Sequence, residues 1–130
     1  MSEIVSLLHA SLLIDDLARA RAFYEGVLGL RPDPARPAMS FDGVWYGIGA
    51  AQIHLIRQPN PDPVTGRPAH GGRDRHTALG VKGWAVLRQR LDAAGIAYTL
   101  SQSGRAALFV RDPDGNALEL VSLDDRPGGQ

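Results

Sequence analysis

The chain has 130 residues, 14 Lys and Arg against 14 Asp and Glu, 44% hydrophobic residues and no cysteine. The length suits one domain with a buried core, and the balanced charge argues against broad electrostatic capture of nucleic acid or an anionic membrane. Without cysteine there is no disulfide, thiolate metal site or cysteine nucleophile, so any metal must be held by His and carboxylate. Thirteen of the basic residues are Arg and one is Lys82, which reads as coding bias before function. The opening Met1–Ser6 lacks the basic stretch of a signal peptide, and the apolar run 7–14 is far short of the roughly 20 residues that span a bilayer. The expectation is a soluble cytoplasmic protein.

In chain order, Leu7–Ile14 reads as a buried strand. Asp15 and Asp16 offer an N-cap, and Leu17, Ala20, Phe23, Tyr24, Val27 and Leu28 follow at helical spacing until Gly29 stops the helix. Residues 31–37 hold three prolines and read as irregular or as an edge strand. Met39–Phe41 and Val44–Ile48 flank Asp42-Gly43, which predicts a hairpin, and Gln52–Ile56 is a further strand. Residues 57–75 carry four Pro and three Gly in 19 positions and read as a long loop, a lid or binding element in many folds.

Beyond the loop, His76–Val81 is a strand and Trp84, Leu87, Leu91 and Ala94 form one helical stripe ending at Gly95. Tyr98–Leu100, Ala106–Val110 and Asn116–Val121 are strands, with Asp112–Gly115 a β-turn before the last. The same order therefore occurs twice. His9 and His76 stand 67 residues apart, Gly29 and Gly95 66, and His54 and Glu119 65. The prediction is an α+β domain over 1–130, made of two tandem βαβββ modules (5–58 and 76–123) joined by the loop 59–75, with a polar tail at 124–130.

The informative residues are polar ones inside apolar strands. Glu119 lies between Leu118 and Leu120, where an ionised carboxylate must be paired, hydrogen-bonded or metal-bound. His9, His54 and His76 occupy the other repeat-related positions. Period-two alternation puts His9 opposite the wholly apolar face of its strand, and His54 shares a face with Gln52. Curved sheets brought together would aim all four side chains into one cup, where three His and one Glu suit Zn, Ni, Co, Mn or Fe(II). A lone strand histidine is more often a hydrogen-bonded core residue, and Glu119 alone could pair with Arg105 or Arg111. Duplication accounts for the four positions at once.

These stretches resemble the vicinal oxygen chelate superfamily, which includes glyoxalase I, bleomycin- and fosfomycin-resistance proteins, extradiol dioxygenases and methylmalonyl-CoA epimerase. The resemblance rests on 9–30, the His76 strand and 109–121, nearly the whole chain. It implies a curved mixed sheet around a metal cup, with ligands at His9, His54, His76 and Glu119. Glyoxalase I usually has Glu at the second position and the epimerase Gln, so His54 departs from both. Extradiol dioxygenases use two His and one Glu, which leaves His54 the alternative role of an acid or base beside a triad. Bleomycin-binding members lack the metal set.

The implied function is metal-dependent lyase or isomerase chemistry of glyoxalase type on a small, oxygen-rich substrate, with Glu119 and His54 as catalytic candidates. The alternatives are an extradiol-type dioxygenase and a non-catalytic binding or resistance protein. Arg67 and Arg73 in the long loop, suited to an anionic substrate, and Trp45 in its strand are candidate substrate contacts. The competing readings are a solvated loop and an ordinary core aromatic. The resemblance also implies a homodimer.

Overall fold

The computed structural model describes residues 2–124; the tail expected at 124–130 lies outside them except for Asp124. The chain divides into two compact units, one ending at Pro61 and one beginning at Asp62.

In the first unit, β1 (His9–Ile14) pairs in parallel with β3 (Ala51–Arg57), and β2 (Gly43–Ile48) pairs with β3 antiparallel. The sheet order β1-β3-β2 leaves β3 in the centre, with Ile53 and Leu55 in the core. Asp16 caps α1 (Leu17–Arg21) by accepting from the Arg19 amide at 3.0 Å. The helix then widens into a π turn over Ala22–Val27 and stops before Gly29, whose φ is 78°. That turn buries the neighbours Phe23 and Tyr24 and sets Glu25 to accept from the buried Tyr46 hydroxyl at 2.8 Å.

The hairpin does not form at Asp42-Gly43. The strand opposite Val44–Ile48 is Ala51–Arg57, and the chain reverses at Gly49-Ala50, with Gly49 at φ 57°. Gly43 instead opens β2, pressed so close to β3 that a Cβ there would collide with the Leu55 carbonyl oxygen. Met39–Phe41 forms no strand. The Phe41 carbonyl accepts from Arg36, and the proline segment makes a single bridge, Pro32 to Tyr46, on the free edge of β2. Proline has no amide hydrogen to extend that ladder.

In the second unit, β4 (His76–Val81) pairs in parallel with β7 (Ala117–Ser122), β6 (Ala107–Arg111) pairs with β7 antiparallel, and β5 (Tyr98–Leu100) adds to β6. The order is β4-β7-β6-β5, with β7 central and Leu118 and Leu120 buried. α2 (Trp84–Ala93) buries Leu87 and Leu91 and ends before Gly95 at φ 69°. Its N-terminal amides at Gly83 and Trp84 are capped at 2.8 and 3.1 Å by the Asp124 carboxylate. The Asp112–Gly115 turn forms as expected, Gly115 donating to the Asp112 carbonyl.

The two units use the same strand registers. Ser11 faces His54 across β1 and β3, and Ala78 faces Glu119 across β4 and β7. Trp45 faces His54 from β2, and Phe109 faces Glu119 from β6. The second unit has three strands after its helix. In the first, the strand expected at Met39–Phe41 does not form, and the segment 31–37, expected to be irregular or an edge strand, contributes the Pro32 bridge. No helix among the described residues is long and apolar enough to cross a membrane.

Candidate functional site

The first unit brings together His9, His54 and Trp45. The imidazole of His54 is stacked on both faces, with ring centroids 4.0 Å from His9 and 4.1 Å from Trp45. Cross-strand register dictates this: Trp45 lies directly opposite His54, and His9 leans along the neighbouring strand. His54 is 8% exposed. Its Nε2 lies 2.8 Å from Gln52 Oε1, and Gln52 Nε2 donates to Asp33 Oδ2 at 3.0 Å. Burial first, then the charges of His9 and Arg36, pushes the His54 imidazole below its ordinary pKa, so it is neutral at neutral pH.

The second unit brings together His76 and Glu119, with His76 Nε2 3.3 Å from Glu119 Oε1. His76 Nδ1 lies 2.9 Å from the Asp74 carbonyl oxygen, which only accepts, so Nδ1 carries a proton. Nε2 then faces a carboxylate oxygen either as an imidazolium donor or as a second electron pair. A carbonyl fixing the outer nitrogen of an imidazole is also how metal-binding histidines are oriented. Two donors bound to one ion at about 2.0–2.2 Å stand close to this separation from each other. The donor chemistry of this pair therefore fits a divalent cation.

Arg105 Nη2 lies 3.7 Å from the other Glu119 oxygen, and Phe109 meets His76 edge-on at 5.2 Å. Arg111, the other arginine considered for Glu119, is instead bound to Asp74. Asp74 holds the segment before His76 in place. Its Oδ2 accepts from Arg111 and from Arg67, each at 2.9 Å, and these bonds draw its pKa down to about 2.

Of the expected substrate contacts, Trp45 packs on His54, Arg67 is engaged with Asp74 and the Pro63 carbonyl, and Arg73 is exposed at the end of the short turn Gly71–Arg73. The long loop is thus partly neutralised by its own carboxylates, since Arg75 also pairs with Asp62 at 2.6 Å. Sequence reasoning gave Asp33 and Asp74 no place at the site. His70 Nδ1 accepts from the Gly72 amide, and its ring lies 4.9 Å from Phe109. The Gln52-x-His54 spacing was a readable signal for their shared face, whereas the Asp33 contact spans 19 residues and has no local signature. Each unit supplies two of the four candidate ligands. Among the described residues no three His, Asp or Glu side chains are gathered into a metal-binding group.

The chain is 31% identical over 132 residues to Glyoxylase I 4 of Arabidopsis thaliana, covering 95% of this chain and 74% of that protein. It is 29% identical to lactoylglutathione lyase of Haemophilus influenzae, covering 96% of this chain and 98% of that one. Among solved structures, a glyoxalase family protein from Bacillus anthracis superposes with a TM-score of 0.77 at 23% identity, covering 94% and 98% of the two chains. A mutant of the fosfomycin resistance protein FosX from Listeria monocytogenes, complexed with Mn(II) and 1S,2S-dihydroxypropylphosphonic acid, superposes with a TM-score of 0.70 at 16% identity, covering 92% of each chain. The family model described as Glyoxalase/Bleomycin resistance protein/Dioxygenase superfamily matches residues 6–120, and the chain belongs to that superfamily.

Proposed function

We propose that this protein is a metal-dependent enzyme of glyoxalase type, a lyase or isomerase acting on a small molecule with two adjacent oxygens. The observation that carries the reading is the His76–Glu119 pair: a histidine whose outer nitrogen is fixed by the Asp74 carbonyl, set 3.3 Å from a carboxylate. Its register counterpart in the first unit is His9 with His54. His9, His54, His76 and Glu119 are the proposed ligands of a divalent cation, Zn, Ni, Co, Mn or Fe(II). A bound cation supplies Lewis-acid stabilisation of negative charge developing on the substrate oxygens.

The chain's own residues do the rest. Glu119 presents one oxygen to His76 and the other to Arg105, and is the first candidate to take the substrate proton. His54, neutral and held between two rings, is the second. Arg105 and the exposed Arg73 favour an anionic substrate, Trp45 supplies an apolar wall, and Arg67 acts through Asp74. The lactoylglutathione lyases among the relatives and the Mn(II) complex among the structural neighbours support this reading. The superfamily resemblance adds a homodimer.

A second reading draws on the hydrogen bond between His54 and Gln52. If it keeps His54 out of the ligand set, His9, His76 and Glu119 form the two-His, one-carboxylate triad of an extradiol-type dioxygenase.

The test is metal content by mass spectrometry, followed by Mn(II), Ni(II), Zn(II), Co(II) and Fe(II) titrations of wild type, His76→Ala and Glu119→Gln. Stoichiometric metal whose affinity drops by roughly 100-fold or more in either variant supports the site. No metal in any preparation, and titrations unaffected by the variants, overturn it. Hemithioacetal isomerisation against catechol-dependent oxygen uptake decides between the two enzymes, and metal-loaded protein inactive in both assays counts against both.

A further inference from the structure

The polar chain behind His54 belongs to neither repeat pattern nor ligand set. Gln52 reaches His54 Nε2 with Oε1 and Asp33 with its amide nitrogen. The orientation of that amide follows from chemistry, because a carboxylate only accepts and Asp33 must therefore face the –NH2 end. The carbonyl end is left toward His54, and a carbonyl also only accepts. His54 Nε2 must then donate, which places the electron pair of the neutral ring on Nδ1.

Nothing else in the strand requires a glutamine here. Its register counterpart, Ala117 opposite His76, has no polar side chain at all. In the second unit the imidazole tautomer is fixed from the other side, by a backbone carbonyl on Nδ1. The two units thus present opposite nitrogens. Stacking of His9 and Trp45 on both faces of the His54 ring opposes the ring flip that would exchange its nitrogens.

We propose that Gln52, oriented by Asp33, is a positioning residue that holds His54 as the Nε2–H tautomer, so that Nδ1 is the nitrogen His54 offers to a cation or to a substrate proton. The proposal rests on the reading of His54 as part of the site, but its first measurement does not need a metal. A ring N–H exchanges too fast with water to be seen in proton NMR unless it is hydrogen-bonded.

The test is long-range 1H–15N correlation of the histidine side chains in the full-length chain, treated with chelator, at neutral pH. Wild type should show a protected N–H on His54 Nε2 and an unprotonated Nδ1. Gln52→Leu should lose the protected proton and Asp33→Ala should broaden it. A wild-type proton on Nδ1, or a protected Nε2 proton that survives Gln52→Leu, overturns the proposal. Zn(II) titration supplies the second readout, with Gln52→Leu weakened about tenfold. If wild type binds no Zn(II), the metal reading fails while the NMR result still decides the tautomer.

Discussion

The two units share a topology and a register but not a chemistry. In each, a first strand pairs in parallel with a central strand whose third or fourth residue is polar, and a second strand sets an aromatic ring opposite that residue. The first unit fills the position with His54, buried between rings and served by an amide. The second fills it with Glu119, facing one imidazole and one guanidinium. The scaffold decides where a donor stands; its neighbours decide whether it holds a proton, and on which atom.

The severest way to break the comparison is to damage both central strands at matched points. Leu55 and Leu120 are register equivalents, each 1% exposed. Each Leu→Ala change removes buried methyl groups and leaves a cavity in a β-sheet core, which costs about 3 kcal/mol. The chain has two tryptophans, Trp45 in the first unit and Trp84 in the second, so Trp84→Phe and Trp45→Phe backgrounds report the units separately in urea. Equal losses, each seen by the tryptophan of the altered unit, support matched cores. A loss under about 1 kcal/mol at one site would show that its core relaxes around the cavity.

A middle-sized effect belongs to the second unit. Two residues before His76 stands Asp74; two residues before His9 stands Leu7. Bonds from Arg111 and Arg67 hold the Asp74 pKa at about 2, below the usual carboxylate value of about 3.9. A depressed carboxylate contributes stability above its unfolded pKa and loses it as pH falls through the folded one. Asp74→Asn should therefore lower the stability of the second unit at neutral pH and flatten its acid loss between about pH 4 and pH 2. Trp84 fluorescence in the Trp45→Phe background reads this, and an acid profile parallel to wild type would remove Asp74 from the account.

The difference between the units also explains what could be read from the sequence. Most strands and the helix stops were legible because they depend on near neighbours: alternation, a capping Asp16, Gly29 and Gly95. Repeat offsets located His9, His54, His76 and Glu119 as matching positions without showing what each touches. Asp42-Gly43 misled because the glycine serves close approach to the Leu55 carbonyl, a contact across strands, rather than a turn. The hairpin glycine is Gly49, whose neighbour Ala50 gives no local turn signal. The commitment of Arg67 to Asp74 was hidden for the opposite reason. Both residues were visible in the loop, but loop composition does not say which charges meet.

The smallest expected effect sharpens a difference inside the first strands. Leu13 of β1 corresponds to Gly80 of β4. A Cβ at Gly80 would lie 2.5 Å from Leu123 Cδ1, so the second unit has exchanged a strand side chain for one that folds back from beyond β7. Leu123 is 57% exposed and its isobutyl group can swing outward, so the clash costs little. Gly80 is not at positive φ, and alanine there also restricts the unfolded chain, a gain of about 0.4–1 kcal/mol. The two terms should nearly cancel, leaving Gly80→Ala within about 0.5 kcal/mol of wild type. In a Leu123→Ala background the clash is gone and the same change should stabilise by about 0.4–1 kcal/mol. A double-mutant cycle measures the difference as coupling between Gly80 and Leu123. Zero coupling would mean that Leu123 does not occupy the space the glycine leaves, and the correspondence between Leu13 and Gly80 would then lack a packing reason.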